Sequence, residues 1–149
     1  MSDNFGIIDN RFLAKSLGIL HPHHPISVPD HTAIKDVILL LQQHKIGCVI
    51  LTDIAGHLTG IFTERDVLLK VMLKDLRINV DPVSHIMTAK PQTASMTTTI
   101  AFALNMMSDG GFRHIPIVDD ENFPVGIISI KNIVDYIAKA TVSDLIQFN

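Results

Sequence analysis

The sequence predicts an α/β (α+β) fold in which two β-α-β-β-α repeats pack sheet to sheet about a pseudo-twofold axis. Displacing the chain against itself by 66 positions aligns residues 47–69 with residues 113–135 without a gap. The alignment places Asp53 on Asp119 and carries the apolar pattern through both copies. A copy of about 55 residues buries too little surface to be comfortably stable alone. Two copies paired through their sheets, with the helices outside, would supply the missing core.

The duplication divides the chain into five segments. We expect an N-terminal segment at 1–20, a first repeat at 21–75, a linker at 76–86, a second repeat at 87–141 and a C-terminal tail at 142–149.

Apolar periodicity and turn residues predict the order strand, helix, strand, strand, helix in each repeat. The first repeat is expected to contain an extended segment at 26–28, a helix beginning after Pro29 with Asp30 or His31 at its N-cap, strands at 48–52 and 58–62 around a turn at 53–56, and a helix at 64–74. The second is expected to contain an extended segment at 92–94, a helix from within 97–99 to Asp109-Gly110-Gly111, strands at 115–118 and 125–129, and a helix at 130–140.

Composition and charge exclude several classes of protein. Hydrophobic residues make up 47% and charged residues 18%, which excludes a disordered chain. A net charge of −3 and a pI near 6.2 argue against nucleic acid as a partner. No apolar run approaches a membrane span, no signal pattern opens the chain, and the single cysteine, Cys48, cannot form an internal disulfide. We therefore expect a soluble cytoplasmic protein without membrane contacts.

The clearest local motif closes the first repeat, where Gly60-Ile61-Phe62-Thr63-Glu64-Arg65-Asp66 leads from a strand into a helix. One interpretation is a capping box, with Thr63 capping the helix and Asp66 reaching back. The other uses the same geometry for a ligand. A helix N-terminus, Thr63 and Arg65 suit a phosphate, and Asp66 suits the two hydroxyls of a ribose. Neither interpretation excludes the other.

A weaker form of the motif, Gly126-Ile127-Ile128-Ser129-Ile130-Lys131-Asn132, closes the second repeat. Lys131 keeps the positive charge that Arg65 has in the first copy. Asn132 replaces the acid, so its hydrogen bonds to a ribose would be neutral and roughly half as strong.

The duplicated pattern G-h-h-[ST]-x-x-[DN], in which h is apolar, resembles the one that closes each unit of a pair of cystathionine β-synthase (CBS) domains, called a Bateman module. The runs RHIPIVD at 113–119 and VSHIMT at 83–88 also resemble signatures of that family. The resemblance covers about residues 20–141 and implies clefts between the repeats that bind adenine nucleotides. It further implies that Thr63 or Ser129 contacts phosphate and that Asp66 contacts the ribose.

The same resemblance implies a role for Arg113 and His114, which match basic positions that often meet phosphates near the pseudo-twofold axis. His114 has an alternative role as a strand residue satisfied by hydrogen bonds. The first repeat has Gly47 and Cys48 at the equivalent positions, so the supply of cations is uneven. We expect one competent site, built around Asp66, and a second that is weak or empty.

Other candidate residues predict no further chemistry. His21, His23 and His24 lie between prolines without a nearby carboxylate or cysteine at ligand spacing, so we expect no metal site. Cys48 lies in an apolar strand and is expected to be an inert core thiol. No nucleotide-hydrolase, dehydrogenase, metalloprotease or serine-hydrolase motif occurs, so we expect no catalytic residues, no obligatory cofactor and no enzyme activity.

Residues 67–73 are apolar around nearly the whole helical circumference, whereas a monomer's surface helix has a polar face. We expect a homodimer in which equivalent helices pack together. The alternative is that residues 1–20, which include Ile7, Phe12 and Leu17, fold back as a cover.

These observations favour a ligand-sensing regulatory module. It would bind AMP, ADP or ATP between the repeats and signal to an unknown target protein. One alternative is a homodimeric protein-interaction module in which the motifs only cap helices. Another is a sensor of a different adenosyl ligand such as S-adenosylmethionine.

Overall fold

The computed structural model describes residues 8–147 and shows two sheets with helices packed around them. In chain order the helices are α1 (Asn10–Leu13), α2 (Ile34–His44), α3 (Glu64–Asp66), α4 (Ile100–Gly110) and α5 (Ile130–Gln147), and the strands are β1 (Ser27–Pro29), β2 (Cys48–Thr52), β3 (Leu58–Thr63), β4 (Thr88–Ala89), β5 (His114–Val118) and β6 (Pro124–Ser129). Short 3₁₀ turns lie at Leu17–Leu20 and Val83–His85. A π-helical turn, Val67–Val71, continues α3.

The first sheet has four strands in the order β1-β2-β3-β4, of which β1 to β3 belong to the first repeat and β4 comes from the start of the predicted second repeat. β1 pairs with β2 in parallel, while β2–β3 and β3–β4 are antiparallel. All five residues of β2 are buried, because both faces of this strand are covered. The turn between β2 and β3 is held by Asp53, whose Oδ1 accepts from the N–H groups of Ala55 and His57 at 2.9 Å each.

The second repeat has the same plan with fewer paired residues. β5 and β6 form an antiparallel hairpin, Ala94 bridges β5 in parallel, and His23 bridges β6 in antiparallel fashion. Ala94 corresponds to Val28 of β1 under the 66-residue displacement, so it occupies the place of a first strand. The predicted mixed α/β architecture is therefore confirmed.

The two sheets face each other. Cys48, Ile50, Leu58 and Ile61 of the first repeat form a buried cluster against Val118 and Ile127 of the second. At the far end of the hairpins, the rings of His57 and Phe123 lie 4.6 Å apart. These two residues are equivalent under the 66-residue displacement, so this contact lies on the pseudo-twofold axis.

The segment that precedes each repeat packs into the core of the other repeat; we call these the exchanged segments. Ahead of the second repeat, Val83 donates its N–H to the carbonyl of Thr32 in the first, at 2.8 Å, and is fully buried in the core of α2, β2 and β3. Ahead of the first repeat, Leu17 donates to the carbonyl of Thr98, also at 2.8 Å, and is fully buried in the core of the second. Parts of the predicted N-terminal segment and linker thus complete the cores of the repeats.

The prediction of an Asp30 or His31 cap was wrong, because α2 begins at Ile34 and its N-cap, Ala33, makes no side-chain cap hydrogen bond. The exchanged segment supplies the acceptors instead: the N–H groups of Ile34 and Lys35 donate to the carbonyls of Asp81 and Ile78 at 3.0 and 2.9 Å. The second helix starts where predicted, with Thr99 accepting from the N–H of Phe102 at 3.2 Å. It ends as predicted at Gly110, with Gly111 at a φ of 68°.

The ends of α3 and α5 also differ from the prediction. The helix predicted at 64–74 ends at Val71, after a π-helical turn closed by the hydrogen bond from the N–H of Met72 to the carbonyl of Val67 at 3.0 Å. In contrast, α5 runs to Gln147, so the predicted tail is helical up to that residue. Residues 148–149 lie outside the described residues.

Residues 8–20, the described part of the N-terminal segment, do not cover the apolar residues of 67–73. Phe12 in α1 is buried in the core of the second repeat, and its ring stacks on Tyr136 of α5 with centroids 5.8 Å apart. Leu68, Leu69, Met72 and Leu73 are each more than half exposed. Ile7, which was part of the alternative cover, lies outside the described residues. Over the described range, none of the helices has the length and apolarity needed to cross a membrane.

Candidate functional site

Two clefts lie beside the start of β5, between the repeats. Cleft 1, with a volume of about 800 Å³, brings together Thr63, Arg65 and Asp66 of the first repeat with Arg113 and His114 of the second. All five residues of the predicted first site and phosphate contacts therefore line one cavity. The folding of the chain joins them across the repeats, although they are about 50 positions apart in sequence.

The wall of cleft 1 holds a complete capping box. The backbone N–H and the hydroxyl of Thr63 both donate to Asp66 Oδ2 at 2.9 Å, and the Asp66 N–H donates to Thr63 Oγ1 at 3.2 Å. Asp66 is only 8% exposed, and the two hydrogen bonds from Thr63 fix its carboxylate. The capping interpretation is confirmed as a structural fact, and the carboxylate still forms part of the cavity wall.

Arg65 has a structural partner as well as a place in cleft 1. Its Nη1 donates to the carbonyl of Gly111 at 3.0 Å, at the C-terminal end of α4. A guanidinium is well placed there because the unpaired carbonyls of a helix end carry partial negative charge. Arg65 therefore ties the first repeat to the second at the rim of the cleft.

Sequence reasoning missed two lysines of cleft 1. Lys70 Nζ lies 2.9 Å from Asp66 Oδ1, and Lys90 also lines the cavity. The spacing of Asp66 and Lys70, an acid followed by a base four residues later in a helix, is a signal that the sequence contains. Lys90 has no comparable local signal, because the pairing of β4 with β3 brings it there.

Apolar side chains form one wall of cleft 1. Ile61, Leu68, Leu69 and Phe112 line it beside the charged groups. A cavity with an apolar wall and converging polar groups suits a ligand that has a flat apolar part and an anionic part.

Cleft 2, with a volume of about 730 Å³, contains part of the predicted second site. Its lining includes Ser129 and Lys131 but not Asn132. The second capping box matches the first: the N–H and hydroxyl of Ser129 donate to Asn132 Oδ1 at 2.9 and 2.8 Å. Lys131 pairs with Asp135 one turn along α5. Lys45, which the sequence analysis did not single out, adds a further cation.

Glu64, Arg113 and His114 line both clefts and so form a shared wall. A Cβ added to Gly47 would lie 2.8 Å from His114 Nε2, so the glycine leaves room for the imidazole. Burial lowers the pKa of His114, an effect that the Glu64 carboxylate opposes and the Arg113 cation reinforces. His114 is therefore held toward its neutral form between the clefts.

The remaining candidates behave as core or surface residues. Cys48 is buried, and burial, with a smaller contribution from Glu64, raises the pKa of its thiol to about 12. That is the environment of an unreactive thiol. Within residues 8–147, no three His, Cys, Asp or Glu side chains converge on a point where a metal ion could bind.

Comparisons with known proteins identify the family. A model of the CBS domain matches residues 18–73 and 83–139. A CBS domain-containing protein of Arabidopsis thaliana, CBSCBSPB5, is 32% identical over 114 residues, which cover 76% of this chain and 21% of that protein. The chain thus spans about a fifth of the length of this curated plant relative.

Solved structures of similar chains share the fold. A CBS-domain containing protein from Agrobacterium tumefaciens is 30% identical, with a TM-score of 0.73 over 83% of this chain and 93% of that one. A CBS domain protein from Pyrobaculum aerophilum, complexed with AMP, is 25% identical, with a TM-score of 0.72 over 78% of this chain and 88% of that one. Since the family model matches twice, over most of the sequence, the chain belongs to the CBS domain family and carries two CBS domains.

Proposed function

We propose that the chain is a regulatory module that binds an adenine nucleotide, AMP, ADP or ATP, in cleft 1. The observation that carries the proposal is the convergence of Asp66 and Thr63 with several cations and an apolar wall in one cavity. Asp66 accepts hydrogen bonds from the ribose hydroxyls. Arg65 and Arg113, with Thr63 beside them, bind phosphate, and the base lies against Leu68 and Leu69.

The charge of cleft 1 supports a phosphorylated ligand. Arg65, Lys70, Lys90 and Arg113 outnumber the carboxylates of Glu64 and Asp66, although the whole chain has a net charge of −3. The complex of the Pyrobaculum aerophilum relative with AMP adds support for an adenine nucleotide.

Cleft 1 is built from both repeats, which suggests how a bound nucleotide acts. Asp66 belongs to the first repeat and Arg113 to the second, so a ligand that contacts both favours one relative arrangement of the repeats. A target protein that binds this arrangement preferentially would respond to the nucleotide. The module needs no obligatory cofactor or catalytic residue for this role, and a cytoplasmic location fits it.

Cleft 2 is the weaker site in this proposal. It has Ser129 and Lys131, but Asn132 supplies no charge and does not line the cavity. A ligand there would depend on Lys45, Arg113 and Lys131 for its phosphate.

The test is thermal unfolding of the wild type with AMP, ADP, ATP or S-adenosylmethionine, alongside Asp66→Asn. A true ligand at about one hundred times its Kd stabilises by about 2.7 kcal/mol, which raises Tm by several degrees. Asp66→Asn is a matched control because Asn132 accepts the same cap bonds in the second repeat. We expect it to keep the cap, to lower the ligand-free Tm only slightly through loss of the Lys70 ion pair, and to lose most of the nucleotide response.

Two outcomes would contradict the proposal. An unchanged nucleotide response in Asp66→Asn would move the ligand out of cleft 1. Stabilisation by S-adenosylmethionine alone would identify a sensor of another adenosyl ligand.

A protein-interaction module without nucleotide binding is the second candidate, favoured by the exposed apolar residues after α3. We propose that Met72 and Leu73, beyond the cleft-lining leucines, pack against their equivalents in a homodimer. Light scattering of Leu73→Glu tests this, with Ile54→Glu on the exposed β2–β3 turn as the control. We expect Leu73→Glu to be a monomer and both the wild type and Ile54→Glu to be dimers. A wild type that is monomeric would contradict the dimer, and a dimer without any nucleotide response would favour the interaction module.

A further inference from the structure

Lys70 spans the side of cleft 1. Its Nζ lies 2.9 Å from Asp66 Oδ1 and donates to Thr88 Oγ1 at 3.2 Å. Asp66 belongs to the first repeat, whereas Thr88 lies in β4, on the segment that leads into the second. The Lys70 side chain is 36% exposed, so its ammonium group can move without breaking the core.

Lys70 occupies Asp66 Oδ1, the carboxylate oxygen with which a ribose would form hydrogen bonds. Asp66 Oδ2 already accepts from the N–H and the hydroxyl of Thr63. Each carboxylate oxygen offers about two lone pairs, so Oδ2 is filled and Oδ1 must receive any further donor. With Lys70 on Oδ1, only one of two neighbouring ribose hydroxyls can bond to Asp66.

The second repeat has no such arrangement. The position equivalent to Lys70 is Tyr136, whose ring stacks on Phe12 in the core. The position equivalent to Asp66 is the uncharged Asn132. The ion pair is therefore a feature of cleft 1 that the shared fold does not require.

We propose that Lys70 is a specificity-determining residue that a phosphorylated ligand displaces from Asp66 and then binds through its phosphate. The inference rests on the proposed function of cleft 1. An uncharged nucleoside breaks the Asp66–Lys70 pair and offers the ammonium no new partner. A nucleotide breaks the same pair and supplies a phosphate, which forms a charge-assisted hydrogen bond with the released ammonium. Lys70 thereby selects nucleotides over nucleosides.

The experiment is calorimetric titration of the full chain with adenosine and with AMP. In Lys70→Met we expect the affinity for adenosine to rise about two- to fivefold, because an ion pair no longer competes for Asp66. We expect the affinity for AMP to fall about tenfold, because one charge-assisted bond is lost. A residue with only a structural role would change both affinities in the same direction.

Two further variants complete the test. Lys70→Arg keeps the charge and should retain most of the preference for AMP. Lys74→Met removes a lysine that is exposed on the same segment and is not among the lining residues of either cleft, so both affinities should stay unchanged.

The outcomes separate the two proposals. If AMP binds the wild type and Lys70→Met preserves the ratio of the two affinities, the role of Lys70 is wrong while the nucleotide site stands. If neither AMP nor ATP binds the wild type, the proposed function is wrong, and the role of Lys70 fails with it.

Discussion

The start of α3 and the start of α5 have the same hydrogen-bond geometry and different charges. At both, a hydroxyl residue ends a strand, and its N–H and hydroxyl donate to the side chain three residues later within 2.8–2.9 Å. In the first repeat the acceptor is the carboxylate of Asp66, which also pairs with Lys70. In the second it is the amide of Asn132, with Tyr136 in place of the lysine.

The comparison separates the needs of folding from the needs of a ligand. A neutral amide caps a helix as well as a carboxylate does, so capping alone does not explain why one repeat has a buried acid and a nearby base. The charged version also lines a cavity with further cations, whereas Asn132 lines no part of cleft 2. We therefore attribute the acid and the base of the first repeat to the cavity that they line and not to the capping of α3.

The largest expected change in stability comes from a substitution in an exchanged segment, which tests whether that segment is part of the core it contacts. Leu17→Ala removes a fully buried side chain from the core of the second repeat, although Leu17 precedes the first. We expect a loss of about 2–5 kcal/mol in the free energy of unfolding, measured by urea denaturation. Ile54→Ala, at an almost fully exposed residue of the β2–β3 turn, should stay within about 0.5 kcal/mol of the wild type. Equal effects of the two substitutions would show that Leu17 is not part of a core.

The next largest loss of stability is expected when the first repeat is given a residue of the second at the wall that the two clefts share. Gly47→Arg gives the first repeat the residue that the second has at this position, but the new Cβ would lie 2.8 Å from His114 Nε2. Relieving that clash should cost about 1–3 kcal/mol. Adding His114→Cys, which copies Cys48, should recover most of the loss. If the double variant is no more stable than Gly47→Arg, the imidazole is not the cause.

A smaller effect distinguishes the two capping boxes. Ser129→Ala should cost about 1 kcal/mol, the usual value of an N-cap. Thr63→Ala should cost about 2 kcal/mol, because the hydroxyl hydrogen bond that it removes goes to the charged, buried Asp66 carboxylate, whereas that of Ser129 goes to a neutral amide. Denaturant unfolding of the two single variants measures the difference. A larger loss for Ser129→Ala would contradict the greater weight given to the charged cap.

The smallest effects are in the pH dependence of unfolding. The equivalent residues Cys48 and His114 change stability at the alkaline and the acid end of the pH range, respectively. Burial lowers the folded pKa of His114 below its usual 6.5, so the unfolded chain takes up a proton first and stability falls as the pH drops through 6.5. The folded pKa of Cys48 is raised from 9.0 to about 12, so stability falls as the pH rises above 9.0.

Thermal unfolding across pH 5–10 measures both slopes. His114→Asn should flatten the acid side alone, and Cys48→Ala should flatten the alkaline side alone. A variant that changes the opposite side would contradict the assignment.

Local patterns in the sequence predicted the parts of the fold that local interactions determine. The hairpins β2–β3 and β5–β6 follow from short β-rich runs on either side of turns at Asp53 and Asp119, and their bounds lie within one residue of the prediction. The cap of α4 follows from Thr99. By contrast, the N–H groups of α2 are satisfied by carbonyls of residues 78–81, which no nearby residue reveals.

The candidate site was predictable to a similar extent. The motif residues Thr63 and Asp66 were visible because strand, cap and helix are adjacent in sequence. Lys90 enters cleft 1 only through the pairing of β4 with β3, a long-range contact. Lys70 had a readable spacing to Asp66, yet its contact with Thr88 depends on the same strand pairing.

The exchange of Leu17 and Val83 makes the chain one cooperative unit. A cut between residues 73 and 81 would leave two fragments, each lacking a buried residue of its own core and holding the one its neighbour needs. Such fragments would persist as a noncovalent complex, and neither would refold alone. For the same reason, stabilising one repeat with a ligand delays the unfolding of both.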